Sequence, residues 1–166
     1  MSKPGTLRVT TPSDREIAMT RAFDAPRRLV FHCLTKPELL KRWGLGPPGW
    51  SLVVCEIDLR VGGAWRFVMH GPDGTEMGMR GVYREIVRAE RIVQTESFDD
   101  PWYPGEALNT TVLAEEAGET TLTIRLLYDS QEIRDAVLKS GMERGVAEGY
   151  DRLAGLLDSL RVGEVK

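Results

Sequence analysis

The chain has 166 residues, of which 42% are hydrophobic and 28% charged, with a formal net charge of −3 at pH 7. That length gives one domain with its own core and too little chain for two of ordinary size. Mild acidity argues against nucleic acid as a partner, since phosphate backbones call for a basic face. No apolar run approaches the ~20 residues that cross a bilayer, so membrane insertion is not expected.

The opening Met1-Ser2-Lys3-Pro4-Gly5-Thr6 lacks the apolar stretch of a signal peptide, and a cytoplasmic location is expected. Cys33 and Cys55 have no metal-ligand spacing, and two histidines, His32 and His70, are too few for a multi-histidine centre. Neither a metal nor another cofactor is expected.

In chain order, residues 1–13 read as a loose arm with a short strand near Leu7–Val9. Residues 15–23 place Ile17, Met19 and Phe23 on one parity, the signature of a strand. Asp24-Ala25-Pro26 then starts a short helix, with Asp24 or Ala25 near the cap. Pro37 opens a second short helix carrying Leu39, Leu40 and Trp43, and Gly44, Gly46, Pro47, Pro48 and Gly49 end it in a mobile loop.

A run of alternating segments follows. Leu52–Arg60 turns at Gly62-Gly63 into a strand whose Trp65, Phe67 and Met69 face inward while Arg66 and His70 face out. Pro72-Asp73-Gly74 is a hairpin turn, and Met79–Val87 returns. Ile92–Phe98 puts Ile92, Gln94, Glu96 and Phe98 on one face. Asp99–Glu106 is a loop with aromatics and prolines, Trp102 among them. Leu108–Glu115 and Thr120–Tyr128 form a last hairpin, so the strands make an antiparallel meander. From Ser130 the period changes to 3.6, giving a short helix at about 130–139 and a long one at about 141–161, separated at Ser140-Gly141.

The fold class is therefore α+β. A six- or seven-stranded antiparallel sheet has one apolar face to cover and only one long helix to cover it. A curved sheet gripping that helix solves this, with the two short helices closing one end and a cavity where the layers diverge. The single domain spans 14–161, and 162–166 form a tail.

Several residues carry candidate chemistry. Glu96 would be a carboxylate in an apolar cavity, where burial raises its pKa and suits it to a general base or a ligand anchor. The competing reading pairs it with a buried arginine or sets it at a wet cavity mouth. His70 with Glu76 or Asp73 has acid–base composition, but parity puts it on the solvated side. His32 and Cys33 point about 100° apart on a helix and make no catalytic pair. No nucleophile elbow or phosphate loop is present.

The aromatic set is Trp43, Trp65, Phe67, Phe98, Trp102 and Tyr150, read as core packing and cavity wall together. Trp102-Tyr103, flanked by Pro101 and Pro104, are two aromatics on a loop and suit a lid or a dimer contact rather than core. Gly141, Gly145 and Gly149 are spaced i, i+4 along the long helix. They provide either a smooth face that widens the cavity or room for close approach of another element.

These residues resemble a known family. Arg21…Asp24-Ala25-Pro26, Leu40…Trp43, Asp58…Arg60…Gly62-Gly63…Trp65-Arg66-Phe67, Gly81…Tyr83, Glu90-Arg91-Ile92-Val93 and Gly141…Leu153 are similar to the family named after the activator of the heat-shock-protein-90 ATPase. That family lies within the START-like, helix-grip superfamily, which includes polyketide cyclases and pollen allergens. The resemblance implies the helix-grip fold over about residues 14–161 and a cavity for lipids, steroids, polyketides or aromatic compounds.

The chain departs from the family pattern at Gln94 and Glu96, where inward aromatics are common. It departs again at Met142, where an aromatic often follows Gly141, and at Ala114, the inward end of the next strand, where phenylalanine is frequent. A larger cavity, more polar at one end, is expected.

The resulting expectation is a non-enzymatic protein binding a small apolar or aromatic molecule under Trp43 and Trp102. Trp65, Phe67, Met69, Gln94, Glu96, Phe98, Met142 and Val146 complete the lining. A second reading is a cyclase- or hydrolase-type enzyme using Glu96. A third is a chaperone-type interaction module, and the resemblance also allows a homodimer.

Overall fold

A computed structural model describes residues 6–44, 49–101 and 103–165, with side chains through Arg161. Trp102 and the centre of the glycine- and proline-rich loop, residues 45–48, lie outside the described residues. The strands are β1 (Arg8–Thr10), β2 (Glu16–Phe23), β3 (Ser51–Ile57), β4 (Ala64–His70), β5 (Glu76–Val87), β6 (Arg91–Phe98), β7 (Ala107–Glu116) and β8 (Glu119–Leu127). The helices are α1 (Arg27–Thr35), α2 (Pro37–Trp43), α3 (Gln131–Lys139) and α4 (Met142–Val165). All strands join one antiparallel sheet in the order β1-β2-β8-β7-β6-β5-β4-β3. The sheet has eight strands rather than six or seven, because β1 pairs with β2 through Val9 opposite Met19.

Each turn has a local cause. Gly74 takes φ +86° after Pro72-Asp73, and Asp73 Oδ1 accepts from the Thr75 N–H. The β7–β8 hairpin turns at Ala117 and Gly118, both at positive φ, which matches the twist of the flanking strands. Gly141, at φ +84°, separates α3 from α4. The start of α1 falls later than expected. Pro26 occupies the cap position, and the Arg27 N–H is satisfied by Glu115 Oε1 of β7 at 2.8 Å. Asp24 instead meets Arg161 of α4 at 3.0 Å.

Register decides which residues face the helix. The Leu113–Leu122 pair turns the odd residues of β7 inward, so Ala114 faces out and is exposed, against expectation. Extra residues at Val53 in β3 and Arg84 in β5 form bulges, and each bends its strand. β6 has none, so the inward set Ile92, Gln94, Glu96 and Phe98 is as the alternation predicts.

The inner face carries two apolar clusters. One gathers α1, α2 and the middle of α4, with Trp65, Tyr83, Tyr150, Leu153 and Leu157 among its buried members. The other gathers β2, β8 and α3 around Ile17, Met19, Leu126, Tyr128 and Val137. Val146 of α4 packs against both. Among the described residues no helix is long and apolar enough to cross a membrane.

Candidate functional site

The site begins at a break in the β5–β6 ladder. Trp65 lies opposite Gly81 in the β4–β5 pairing. Its indole Nε1 reaches past Gly81 to donate to the Thr95 carbonyl of β6 at 3.1 Å, and the Val82 N–H bonds Thr95 Oγ1 at 2.9 Å. A Cβ at position 81 would overlap both the Thr95 carbonyl oxygen and the indole, so glycine is required there. The Gly81…Tyr83 and Trp65 signatures of the sequence are thus one packing unit.

Continuing the register between the Arg80–Ser97 and Tyr83–Gln94 pairs sets Gly81 beside Glu96. On the other side Glu96 pairs with Ala107, and the next strand carries Tyr128, one residue beyond the Leu108–Leu127 pair. One row across the inner face therefore reads Trp65, Gly81, Glu96, Ala107, Tyr128. The carboxylate stands between the two smallest residues of the row, with aromatic rings beyond them.

Glu96 keeps some accessible surface although protein crowds it. Burial pushes its carboxyl above the usual 4.5, and an Asn109 hydrogen bond pulls the other way. That bond, from Nδ2, is long at 3.4 Å. Thr111 Oγ1 donates to Asn109 Oδ1 at 3.2 Å, and Gln94 stands across from Asn109. These four residues form a polar strip on the inner face.

Phe98 meets Tyr103 edge-to-face at 6.1 Å, and Tyr103 meets Tyr128 the same way at 5.7 Å. Burial, then Glu96, raises both phenols: Tyr103 reaches about 12 and Tyr128 goes higher. A cleft of about 470 Å³ opens beside them, lined by Arg80, Ser97, Phe98, Asp99, Pro101, Tyr103, Pro104 and Gly105. At its rim Arg66 holds Asp99 by two bonds of 2.9 and 2.6 Å, which keeps that carboxyl below its usual range.

Arg21 answers the question of a cation for Glu96. It is inward on β2 and 2% exposed, and it binds Asp151 of α4 at 2.8 Å. Its Nε and Nη2 are buried with no hydrogen-bond partner among the described residues, and its guanidinium lies 5.1 Å over the Phe23 ring. Sequence reading quoted Arg21 as a signature without assigning it inward. Parity with Ile17, Met19 and Phe23 was the available signal.

Met79 of β5 pairs with both Phe67 and Phe98, so these two flank it on one inward row. Met69 is buried near the far end of β4 and pairs with Leu52. Met142 packs on the α3-side cluster. The Trp43 indole donates to the Cys33 carbonyl at 2.8 Å, and its ring lies 6.1 Å from Tyr150. His70 is exposed and 2.7 Å from Glu76.

The helix glycines have room around them. A Cβ on Gly145 would meet nothing within 4 Å, and one on Gly149 would meet only Arg152 Nη2 at 3.9 Å. Gly149 is nonetheless covered from solvent. Among the described residues, close approach of another element does not account for them.

An antiparallel sheet curved around a C-terminal helix, with two helices after the second strand, defines the helix-grip architecture, whose members commonly bind ligands. Residues 24–158 match the family model described as Activator of Hsp90 ATPase homolog 1-like protein, and the chain belongs to that family. No curated protein matches the sequence.

Among solved structures, a Rhodobacter sphaeroides protein is 29% identical with a TM-score of 0.87; the match covers 93% of this chain and 99% of that one. A Chromobacterium violaceum protein is 30% identical with a TM-score of 0.73, covering 86% and 96%. An AHSA1-like protein from Aeromonas hydrophila, 17% identical over 85% of this chain and 93% of that one with a TM-score of 0.69, shares the fold.

Proposed function

We propose that the protein binds a small, largely apolar or aromatic molecule between α4 and the inner face of the sheet. The observation that carries this is the row Trp65, Gly81, Glu96, Ala107, Tyr128. It puts the small residues Gly81 and Ala107 on either side of a polar group, which supports a space there. The empty side-chain positions of Gly145 and Gly149 support it from the helix side. Asn109 gives Glu96 its one hydrogen bond among the described residues, and buried polar groups are seldom left so poorly served without water or a ligand. Both cysteines are unpaired, which suits a reducing compartment, and a cytoplasmic setting is part of this reading.

One observation favours a second reading. The raised pKa of Glu96 suits a general acid or base, as a cyclase or hydrolase would need. Turnover would then accompany binding at the same place. A chaperone-type contact has less support, because the large hydrophobics exposed among the described residues are four valines, Val53, Val61, Val82 and Val87, with no exposed aromatic or leucine.

Native mass spectrometry of the protein from its own host tests the binding reading. A retained small mass, lost on denaturation, is expected. A bare chain that also fails to bind a neutral apolar dye overturns it.

A further inference from the structure

Arg66 of β4 and Arg80 of β5 stand directly opposite each other on the outer face of the sheet. Like charges so placed repel, and one carboxylate, Asp99, lies within reach of both. We infer that the cleft beside Arg80 is a second binding site, which takes a small monocarboxylate with a flat apolar body, its carboxylate held by Arg80 and Ser97. This site is separate from the inner-face site proposed above, and the two stand or fall independently.

The unequal sharing of Asp99 leaves Arg80 available. Arg66 takes both carboxylate oxygens, at 2.9 and 2.6 Å. Arg80 Nε stays 3.8 Å from Oδ1, too far to donate. The arrangement is built into β5, which runs between the two partners. Asp99 Oδ2 occupies the place that a Cβ at position 78 would take, so glycine there seats the Arg66–Asp99 pair. The Asp99 N–H also donates to the Gly78 carbonyl at 2.9 Å. Asp99 cannot turn to Arg80 without giving up two short charge-assisted bonds.

Ser97 lies opposite Arg80 across the β5–β6 ladder, so its hydroxyl shares the outer face with the guanidinium. Neither side chain makes a hydrogen bond among the described residues. Both line the cleft. A guanidinium and a hydroxyl with unused donors at one end of a concavity form a seat for an oxyanion. The planar fork of arginine matches a carboxylate through two parallel bonds, as Arg66 shows with Asp99.

The rest of the cleft is set for an apolar body. Pro101 and Pro104 supply walls without charge, and the volume of about 470 Å³ falls in the range of small-molecule sites. Tyr103, expected in a lid, is instead buried in the cluster around Ile17 and Leu126, which pegs the loop carrying both prolines. A pegged wall costs a ligand little ordering. The neighbouring acids limit the ligand's charge. Glu106 stands 3.8 Å from Arg84, and the Asp129 carboxylate lies against Gly105. With Asp99 they disfavour a dianion, so a single carboxylate fits better than a phosphate monoester.

The test titrates the full-length protein with benzoate and with its neutral isostere benzamide, read by amide NMR shifts. Benzoate is expected to shift Arg80, Ser97, Asp99 and Gly105 and to bind about tenfold more tightly than benzamide. Arg80→Gln is expected to erase that preference, and Arg80→Lys, which keeps the charge without the fork, to reduce it several-fold. Arg91→Gln, at an outer-face arginine already paired with Glu85 at 2.9 Å, is expected to leave it intact. Equal binding of the two probes, no binding of either, or a preference that survives Arg80→Gln overturns the inference. Shifts confined to α4 and the inner face also overturn it, and would support the inner-face reading instead.

Discussion

Arg21 and Glu96 are both ionisable residues on the inner face of one sheet, and their surroundings differ. Arg21 has an ion-pair partner on α4, a ring beneath it at Phe23, and Tyr150 beside it in the same packed cluster. Glu96 has glycine on one side, alanine on the other, and a single long hydrogen bond. The arginine end is closed by protein atoms. The glutamate end is lined by rings and left short of partners. Both charges are served only in part: Arg21 keeps one ion pair while its Nε and Nη2 lack partners among the described residues, and Glu96 keeps one long hydrogen bond.

The largest expected effect strikes the joint that shapes the glutamate end. Gly81→Ala forces a methyl into the Thr95 carbonyl and the Trp65 indole, and should cost about 3 kcal/mol or more in urea unfolding. A cost below about 1 kcal/mol would mean that the indole does not need its passage over β5. At the other end, Asp151→Ala leaves the Arg21 guanidinium buried without its counter-ion. It should cost about 2 kcal/mol, less than a fully buried pair because Asp151 itself is exposed. Arg21→Met should cost less than Asp151→Ala, since it removes the charge along with its need for a partner.

Ala107→Leu sharpens the contrast from the opposite direction. In a filled core the added volume costs about 1–3 kcal/mol. Beside Glu96 it should cost under about 1 kcal/mol while abolishing dye binding, because the new side chain occupies the ligand's space. A large loss of stability would show that the row is already packed.

Glu96 also leaves a mark on pH dependence. The folded protein holds its proton more tightly than the unfolded chain, so the folded state binds more protons between 4.5 and the raised value. Stability should therefore fall as pH rises through that window, and Glu96→Gln should flatten that part of the curve. A wild-type curve with no such slope would place the carboxylate in water. The smallest effect is expected at His70. Its pair with Glu76 is exposed, and His70→Ala should change stability by less than about 0.5 kcal/mol.

The sequence by itself determined the elements and most of the facing. Alternation in Arg91–Phe98 placed Gln94, Glu96 and Phe98 inward, and the structure keeps that parity because the neighbouring bulge falls in β5. Glycine at 74 and 141 marked turns that the backbone makes at positive φ. Pro37 and the change of period after Ser130 marked the helices. These are local signals, and local sterics and hydrogen bonding fix them.

Tertiary structure alone decided what surrounds each inward residue. Nothing near Arg21 in the chain names Asp151 as its partner, since 130 residues separate them. Ala114 looked inward by resemblance, yet the Leu113–Leu122 pairing turns it to solvent. The Trp43 indole holds the Cys33 carbonyl, a partner ten residues away that no sequence pattern names. That Gly81 and Ala107 stand on either side of Glu96 follows from register across three strands. Register is set by the packing of whole faces, and no single segment contains it.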